Sequence, residues 1–382
     1  MKLTCVIIAR DEEELLPRCL DSLSYEPVYD DWPAGKRHLW DELVVVDTGS
    51  TDRTVEIAES YGARVERFEW ADDFSAARNY AESVCRGEYV YWQDADEVLV
   101  AGHEIIRAIA EKDEEIAVRP MMVWTRDEFG APAQTYARQD LLHQRGSHVW
   151  KGAIHEWTEG PRGRVEKGIL VEQQPRKGGD RTYGDPFAPL RANLQATPTE
   201  RHYFYLAREH SYAGHHHEVI ALVDQLLTLP VEWPVQRSDA AMLKGNALKA
   251  LGTPAEARAA FLRAVQEWGA WAEPYYALGC LHYELGQWAE GVAWFAACLP
   301  FSPPEGYFVD ESIYAWRRYD MLAVCLSKIG QNEEARCYGA KALAVRPDDP
   351  RLQENMRHYE TTRAGAAPMN RRSVCGCGKG RP

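Results

Sequence analysis

Two domains of different class are predicted by this sequence: an α/β domain with crossover helices, followed by an all-α domain built from paired helices. Three observations carry the prediction. Strand-like and helix-like segments alternate over the first third of the chain. From about Thr199 the strand pattern stops and helix pairs take over, and within those helices a 34-residue spacing recurs. A chain of 382 residues has room for two such domains at roughly 100 to 200 residues each. Apolar residues make up 45% and charged residues 27%, with 13 Trp and 19 Tyr, which excludes global disorder.

In chain order, Lys2–Ala9 is an apolar strand, and Glu12–Leu23 sets Leu15, Leu16, Cys19, Leu20 and Leu23 on one side of an amphipathic helix. Glu42–Val46 is a second β-branched run. It closes on Asp47-Thr48-Gly49-Ser50-Thr51-Asp52, whose short polar side chains suit the cap of a helix over Arg53–Tyr61. Arg64–Phe68 reads as a third strand, Phe74–Cys85 as a helix, and Tyr89–Gln93 as a fourth strand running into Asp94-Ala95-Asp96-Glu97. Ile116–Trp124 and Lys167–Glu172 are the clearest strands that follow. Acidic residues thus gather at strand C-terminal ends, the edge at which open α/β sheets hold ligands.

In the helical part, Gly214, Gly252, Gly286 and Gly330 each end one helix before an Ala-rich second one. Gly245, Gly252, Ala257, Phe261 and Ala264 recur 34 residues later as Gly279, Gly286, Gly291, Phe295 and Cys298. This pattern resembles tetratricopeptide repeats, in which small residues let helices cross closely. The last copy departs from it, with Gly339 where the large apolar residue belongs. His215-His216-His217 reads as an exposed turn, because neighbours on a helix point apart. Trp233, Trp268, Trp271, Trp288, Trp294 and Trp316 read as seam and core, with some available to line an acceptor groove. The expected division is 1–180 catalytic, 181–198 linker, 199–360 helical and 361–382 a flexible Gly/Arg-rich tail, where Cys375 and Cys377 are at most half of a zinc site.

Net charge is −14, and residues 1–178 carry 22 basic against 35 acidic side chains. Such a domain draws no nucleic acid from a distance and calls for a cation beside any polyanionic ligand. Nine cysteines lack the spacing of a secreted framework, so reduced thiols are expected. No run reaches the ~18 uncharged residues of a membrane span, and Leu3–Ala9 is cut short by Arg10-Asp11-Glu12-Glu13-Glu14, unlike a signal peptide. A cytoplasmic location is the expectation.

Four pieces of the first domain carry a resemblance when taken together: Ala9-Arg10-Asp11-Glu12-Glu13, Val44 through Thr54, Phe74-Ser75-Ala76-Ala77-Arg78-Asn79, and Tyr91 through Glu97. In order and spacing they resemble the family 2 glycosyltransferases of the GT-A fold, over residues 3 to about 160, although an Asn is more usual where Asp11 stands. The resemblance implies a Rossmann-like mixed sheet and inverting sugar transfer from a nucleotide sugar, most simply a UDP-sugar. It implies donor contacts from Ala9, Asp11, Glu12, Asp47, Arg78, Asp94 and Ala95. A Mn²⁺ or Mg²⁺ ion would sit on Asp94 and Asp96, with His155 available as a further ligand. Where relatives often place another His ligand, this chain has Val171-Glu172-Gln173-Gln174, so Glu172, a Gln carbonyl or His155 takes that place, or the ion has fewer protein ligands.

Side-chain chemistry supports these assignments independently. Asp47 at a strand end can accept from the imide N–H of uracil, and can equally cap the next helix. Arg78 offers a planar, permanently charged fork to a diphosphate, or forms an ordinary ion pair. Asp94 and Asp96, two apart in extended chain, can converge on one hard cation acting as a Lewis acid toward the leaving diphosphate. Mg²⁺ and Mn²⁺ both suit oxygen ligands. Trp150-Lys-Gly-Ala-Ile-His155-Glu156 resembles the family's acceptor-side segment, where a Trp-Gly stretch leads to an acidic residue near the reacting sugar, which implies Glu156 as the base, with His155 left to ligate the ion, touch a phosphate or orient the carboxylate. Asp140 and Glu128 compete with Glu156, and a buried His–Glu couple without chemistry is the bland alternative.

A GT-A domain followed by tetratricopeptide-like helices resembles the peptide and protein glycosyltransferases of the bacteriocin S-glycosyltransferase type and phage-encoded relatives, which implies a polypeptide acceptor. The alternatives are a hydroxylated base in phage DNA, reached through a basic strip such as Arg176–Arg181, a lipid or glycan, and a non-catalytic repeat scaffold. Charge weighs against the nucleic acid. Exposed repeat edges leave oligomerisation open.

Overall fold

The computed structural model describes residues 1–25, 37–113, 116–174, 185 and 187–361. The Arg176–Arg181 strip, most of the expected 181–184 start of the linker and the 362–382 tail with Cys375 and Cys377 lie outside the described residues. Helix α5 (Ala188–Ala196) occupies the described part of the expected linker.

The first domain is built on strands β1 (Leu3–Ala9), β4 (Glu42–Asp47), β5 (Arg64–Arg67) and β6 (Tyr89–Trp92), with β2 (Ser24–Tyr25) and β3 (Arg37–His38) forming a short separate ribbon. β1 pairs in parallel with β4 on one side and with β6 on the other, and β4 pairs in parallel with β5. The chain therefore moves outward from β1 through β4 and β5, then returns to the opposite side of β1 for β6. That reversal opens a crevice beyond the C-terminal ends of β1 and β6.

The sheet continues beyond β6 with β10 (Leu142–Gln144), β8 (Ala117–Arg126) and β9 (Pro132–Ala137), each antiparallel to the strand before it in that order. β13 (Arg164–Gln173) pairs with β8 in parallel and with β7 (Glu97–Ala101) antiparallel, and β14 (Val309–Asp310) closes the β9 edge. The sheet is mixed, as the resemblance implies. β11 (Val149–Lys151) and β12 (Trp157–Glu159) form a separate hairpin.

The central strands read as unbroken apolar runs because both of their faces are buried. Leu3, Cys5, Ile7 and Ala9 of β1 pack with α1 (Leu16–Ser22), α2 (Thr54–Ser60) and α4 (His103–Lys112). Val6 points the other way, with Val44, Val46, Val90 and Trp92, toward Ala81 of α3 (Phe74–Val84). Helix α1 is shorter than the expected Glu12–Leu23. Pro17 occupies its first turn, and the residues before it bind the loop after β4 instead: Glu12 N–H donates to Thr54 Oγ1 at 2.6 Å and Glu13 N–H to Asp52 Oδ2 at 3.1 Å. All seven cysteines among the described residues are free thiols, and no helix among those residues is long and apolar enough to cross a membrane.

By its internal contacts the chain forms two compact units, the first holding 1–277 with 301–314, the second holding 278–300 with the chain from 315 on. The first unit therefore includes helices as well as the sheet: α5, α6 (Glu200–Tyr212), α7 (His216–Thr228), α8 (Pro234–Ala250) and α9 (Pro254–Glu267). In it a Cβ on Gly245 would run into the Phe261 ring. In the second unit a Cβ on Gly279 would meet the Phe295 ring at 2.6 Å. The same glycine-under-phenylalanine crossing, 34 residues apart, makes the helical region tetratricopeptide-like. Gly252 at φ +77° and Gly286 at φ +70° end the paired helices in the left-handed conformation that the turn requires. Of His215-His216-His217, expected as an exposed turn, His216 and His217 instead open helix α7; His215 and His217 are exposed and His216 is half-buried.

Candidate active site

The loop after β1 and the loop after β4 are tied together at the crevice. Asp11 takes a positive φ of 52°, receives Thr51 N–H at 2.7 Å and Thr51 Oγ1 at 3.1 Å, and donates its own N–H to Ser50 Oγ at 3.0 Å. Asp47 ends β4 in register with Ala9. Its carboxylate accepts Ser50 N–H at 3.0 Å and Gly49 N–H at 3.3 Å, so it closes the loop after β4 and does not cap α2, whose Thr54 N–H donates to Asp52 Oδ1 at 2.9 Å instead.

Helix α3 explains the Phe74–Asn79 motif. Asp73 caps it by accepting Ala76 N–H at 3.0 Å. Asn79 then binds β11 reciprocally: its Nδ2 donates to Trp150 O and its Oδ1 accepts Trp150 N–H, both at 2.9 Å. Phe74 N–H donates to Ala153 O at 2.9 Å, fixing the loop that carries His155 and Glu156. Gly152, at φ +89°, lies so close to Trp157 that an added Cβ would meet the ring at 2.6 Å.

Arg78 is the hub, only 6% exposed and lying against the edge-to-face pair of Trp92 (5.2 Å) and Trp150 (4.6 Å). Its Nη2 donates to Asp94 Oδ1 at 2.8 Å and its Nε to Glu156 Oε1 at 2.6 Å. The carboxylate after β6 and the carboxylate of the β11–β12 loop, far apart in sequence, thus meet on one guanidinium. Arg78 Nη1 is buried without a hydrogen-bond partner.

Arg138, just past β9, was not singled out from the sequence. Its Nη2 donates to Asp94 Oδ2 at 2.9 Å and its Nη1 to the buried Glu97. Burial works to raise the Asp94 pKa, but the Arg78 and Arg138 guanidiniums outweigh it and hold the carboxyl well below the usual range. Burial pushes Glu97 up, and Asp94 and Asp96 push it further in the same direction.

The expected metal set is not assembled. Asp94-Ala95-Asp96 is a turn closed by Glu97 N–H on Asp94 O at 3.0 Å, not the expected extended chain. Both Asp94 oxygens lie on arginines, while Asp96 Oδ2 accepts Gln173 Nε2 at 2.7 Å. Glu172 lies on Arg126 at 2.6 Å and 3.0 Å. Among the described residues no group of three or more His, Cys, Asp or Glu could hold an ion. A donor set already engaged by guanidinium and amide donors does not fit a protein-built metal centre.

His155, at φ +50°, turns toward the helices. Its ring stacks on Tyr205 of α6 at 4.1 Å, and its carbonyl accepts Arg201 Nη2 at 2.6 Å. Burial, with Arg208 and Arg201 adding to it, drops the imidazole to about 3. The ring is neutral at physiological pH, with its own carbonyl and its ring both facing α6. Of the competing bases, Asp140 is buried on Gly163 N–H at 2.6 Å and Glu128 is exposed at a hairpin tip. Beside the loop, a cavity of about 460 Å³ is lined by Gly152, Ala153 and Trp157 from the hairpin, by residues of α5, α6 and α8 that include Arg201, and by Trp233 just before α8.

An open α/β sheet with its ligand crevice at the switch point, and an arginine cradle joining two carboxylates there, defines a domain built to hold an anionic ligand against an acidic group. Residues 4–155 match the family model described as Glycosyl transferase family 2. The TPR repeat-containing protein of Synechococcus elongatus is 33% identical over 53% of this chain and 41% of its own length. An uncharacterized glycosyltransferase of Rickettsia bellii is 33% identical over 26% of this chain and 29% of its own. The SPbeta prophage-derived glycosyltransferase SunS of Bacillus subtilis is 36% identical over 25% of this chain and 20% of its own. The chain thus spans less than half the length of these curated relatives. A crystal structure of MamA aligns over 43% of this chain and 88% of that one at 18% identity, with a TM-score of 0.35, too low to bear on the fold.

Proposed function

We propose that the chain transfers a sugar from a UDP-sugar to a side chain of a polypeptide acceptor, with inversion at the anomeric carbon. The observation that supports this most directly is the Arg78 bridge. It brings Glu156 to the same guanidinium as Asp94, with Nη1 of that guanidinium still unpartnered for a donor phosphate oxygen. Asp47 has lone pairs beyond its two loop bonds for a uracil imide N–H. In the reading, Glu156 takes the proton of the acceptor hydroxyl or thiol. The freed lone pair attacks the anomeric carbon as its bond to the diphosphate oxygen breaks, and the nucleoside diphosphate leaves toward Arg78.

A Mn²⁺ or Mg²⁺ ion, expected from the sequence, finds no protein-built centre among the described residues. The test is therefore a screen of nucleotide sugars by thermal shift and by nucleotide release, with and without Mn²⁺, because a bound donor stabilises the fold by mass action. A response confined to the Mn²⁺ arm assigns the ion to the donor's own phosphates. With the best donor, Glu156→Gln is expected to lower transfer by about 10²- to 10⁴-fold. Transfer at the wild-type rate by Glu156→Gln removes it as the base.

A further inference from the structure

We propose that the 460 Å³ cavity beside the β11–β12 loop is the acceptor subsite, and that it takes a polypeptide segment with an acidic side chain next to the modified residue, its carboxylate lying on Arg201. The inference rests on the polypeptide-acceptor reading and narrows it.

Location comes first. Gly152, Ala153 and Trp157 line the cavity and flank His155 and Glu156 in sequence, so a chain lying in it passes the assigned base. All of its lining residues belong to one compact unit.

Arg201 supplies the charge argument. Its Nη2 donates to His155 O, and its guanidinium lies 4.9 Å from the centre of the Trp157 ring, 4.7 Å from Tyr205 and 5.7 Å from Trp233. It makes no ion pair among the described residues. Its sequence neighbour Glu200 is engaged elsewhere, accepting Arg237 Nη1 at 2.6 Å and the backbone N–H of Trp233 at 3.0 Å. The field of Glu156 reaches it, but no carboxylate stands at ion-pair distance, so a cation framed by rings, with water largely displaced, is only partly compensated. The rings fix its position, so an incoming carboxylate meets an arginine already placed.

Two amides in the same wall add a second, independent observation. Gln236 is 9% exposed and its Oε1 has no hydrogen-bond partner, and Asn193 Nδ2 is likewise buried without one. One is an acceptor lacking a donor, the other a donor lacking an acceptor. A peptide backbone supplies both, an N–H and a C=O, alongside the carboxylate for Arg201. A neutral sugar would satisfy the amides and leave Arg201 only partly compensated. A nucleic acid would bring a string of phosphates to a wall that also carries Glu232 and to a domain of net negative charge.

The experiment uses the full chain, the donor found by the screen, and short peptides centred on Ser, Thr or Cys whose flanking positions are Asp, Ala or Lys, with sugar transfer read by mass. The wild type is expected to favour Asp-flanked over Lys-flanked peptides by about tenfold or more. Arg201→Lys is expected to keep the preference, Arg201→Ala to bring the ratio near one, and Arg201→Glu to reverse it. A ratio is independent of how much folded enzyme each variant yields. Transfer without a charge preference, or a preference that survives Arg201→Glu, overturns this inference alone. Donor turnover with no transfer to any peptide overturns the polypeptide reading and this inference with it.

Discussion

Two arginines flank the His155–Glu156 loop and are built in opposite ways. Arg78 carries two carboxylates, Asp94 and Glu156, and Arg138 covers the remaining Asp94 oxygen. Arg201 carries a carbonyl and three aromatic faces but no carboxylate among the described residues. The first side balances its charges within the protein and is shaped before any ligand arrives. The second leaves a positioned cation and two amide groups to be completed from outside. In the proposed reading the difference separates a fixed donor cradle from an acceptor site whose specificity lies in what it lacks.

The contrast breaks hardest at Arg78. Lys in its place keeps one charge but cannot reach Asp94 and Glu156 together through a planar fork. Arg78→Lys is expected to lower transfer by about 10²- to 10³-fold, measured as product formed at saturating donor. A loss of tenfold or less, on the other hand, would mean that the two carboxylates are held by other groups and that Arg78 is packing.

A smaller but still large effect is expected at Arg237, which tests whether an arginine near the cavity acts by stability alone. It is buried on Glu200 at 2.6 Å and Glu267 at 2.7 Å, and its Nη2 donates to Leu227 O at 3.0 Å, tying α6, α8 and α9 to the end of α7. Arg237→Ala leaves two carboxylates without their cation and is expected to cost about 3–5 kcal/mol in urea unfolding. The Asp-to-Lys peptide ratio of the folded fraction should hold, in contrast to Arg201→Ala. A change in that ratio would mean that Arg237 shapes the cavity as well as supporting it.

The sequence made the fold legible where periodicity and strand runs are local. The parallel strands, the 34-residue glycine and phenylalanine spacing and the acidic strand ends all lie within short windows. Arg78, Asp94 and Glu156 were legible as separate candidates because each sits in a local motif. Their meeting on one guanidinium was not, since Arg78 and Glu156 are 78 residues apart. Arg138 was missed for the same reason, 44 residues from Asp94 and with no motif around it. Asp94-Ala95-Asp96 was expected in extended chain, whereas the chain turns there and the partners of the two carboxylates, Arg78, Arg138 and Gln173, all come from distant sequence. Arg201 was missed because it lies just past a segment read as linker, although Arg201 and Tyr205 stand at the i, i+4 spacing that brings side chains together on a helix.

The smallest expected effect is a slope with pH, and it sharpens the comparison by asking whether another charge near the acceptor side is also incompletely matched. Asp239 stands one turn beyond Gln236 on α8. Burial raises its carboxyl to about 6 against the opposing pull of Arg208, and Glu273 lies near enough for Asp239 to raise its pKa too. In the unfolded chain the same carboxyl titrates at about 3.9. Between those values the unfolded state releases a proton that the native state keeps. Stability due to this group is therefore greatest at the acid end, falls as pH rises through the window, and is constant above it. Asp239→Asn is expected to flatten that part of the urea midpoint against pH curve and to be relatively more stable on its alkaline side. A wild-type curve that rises across the same window and is unchanged by the substitution would show Asp239 ionised and well paired in the native protein, and the incompletely matched charge would then be confined to Arg201.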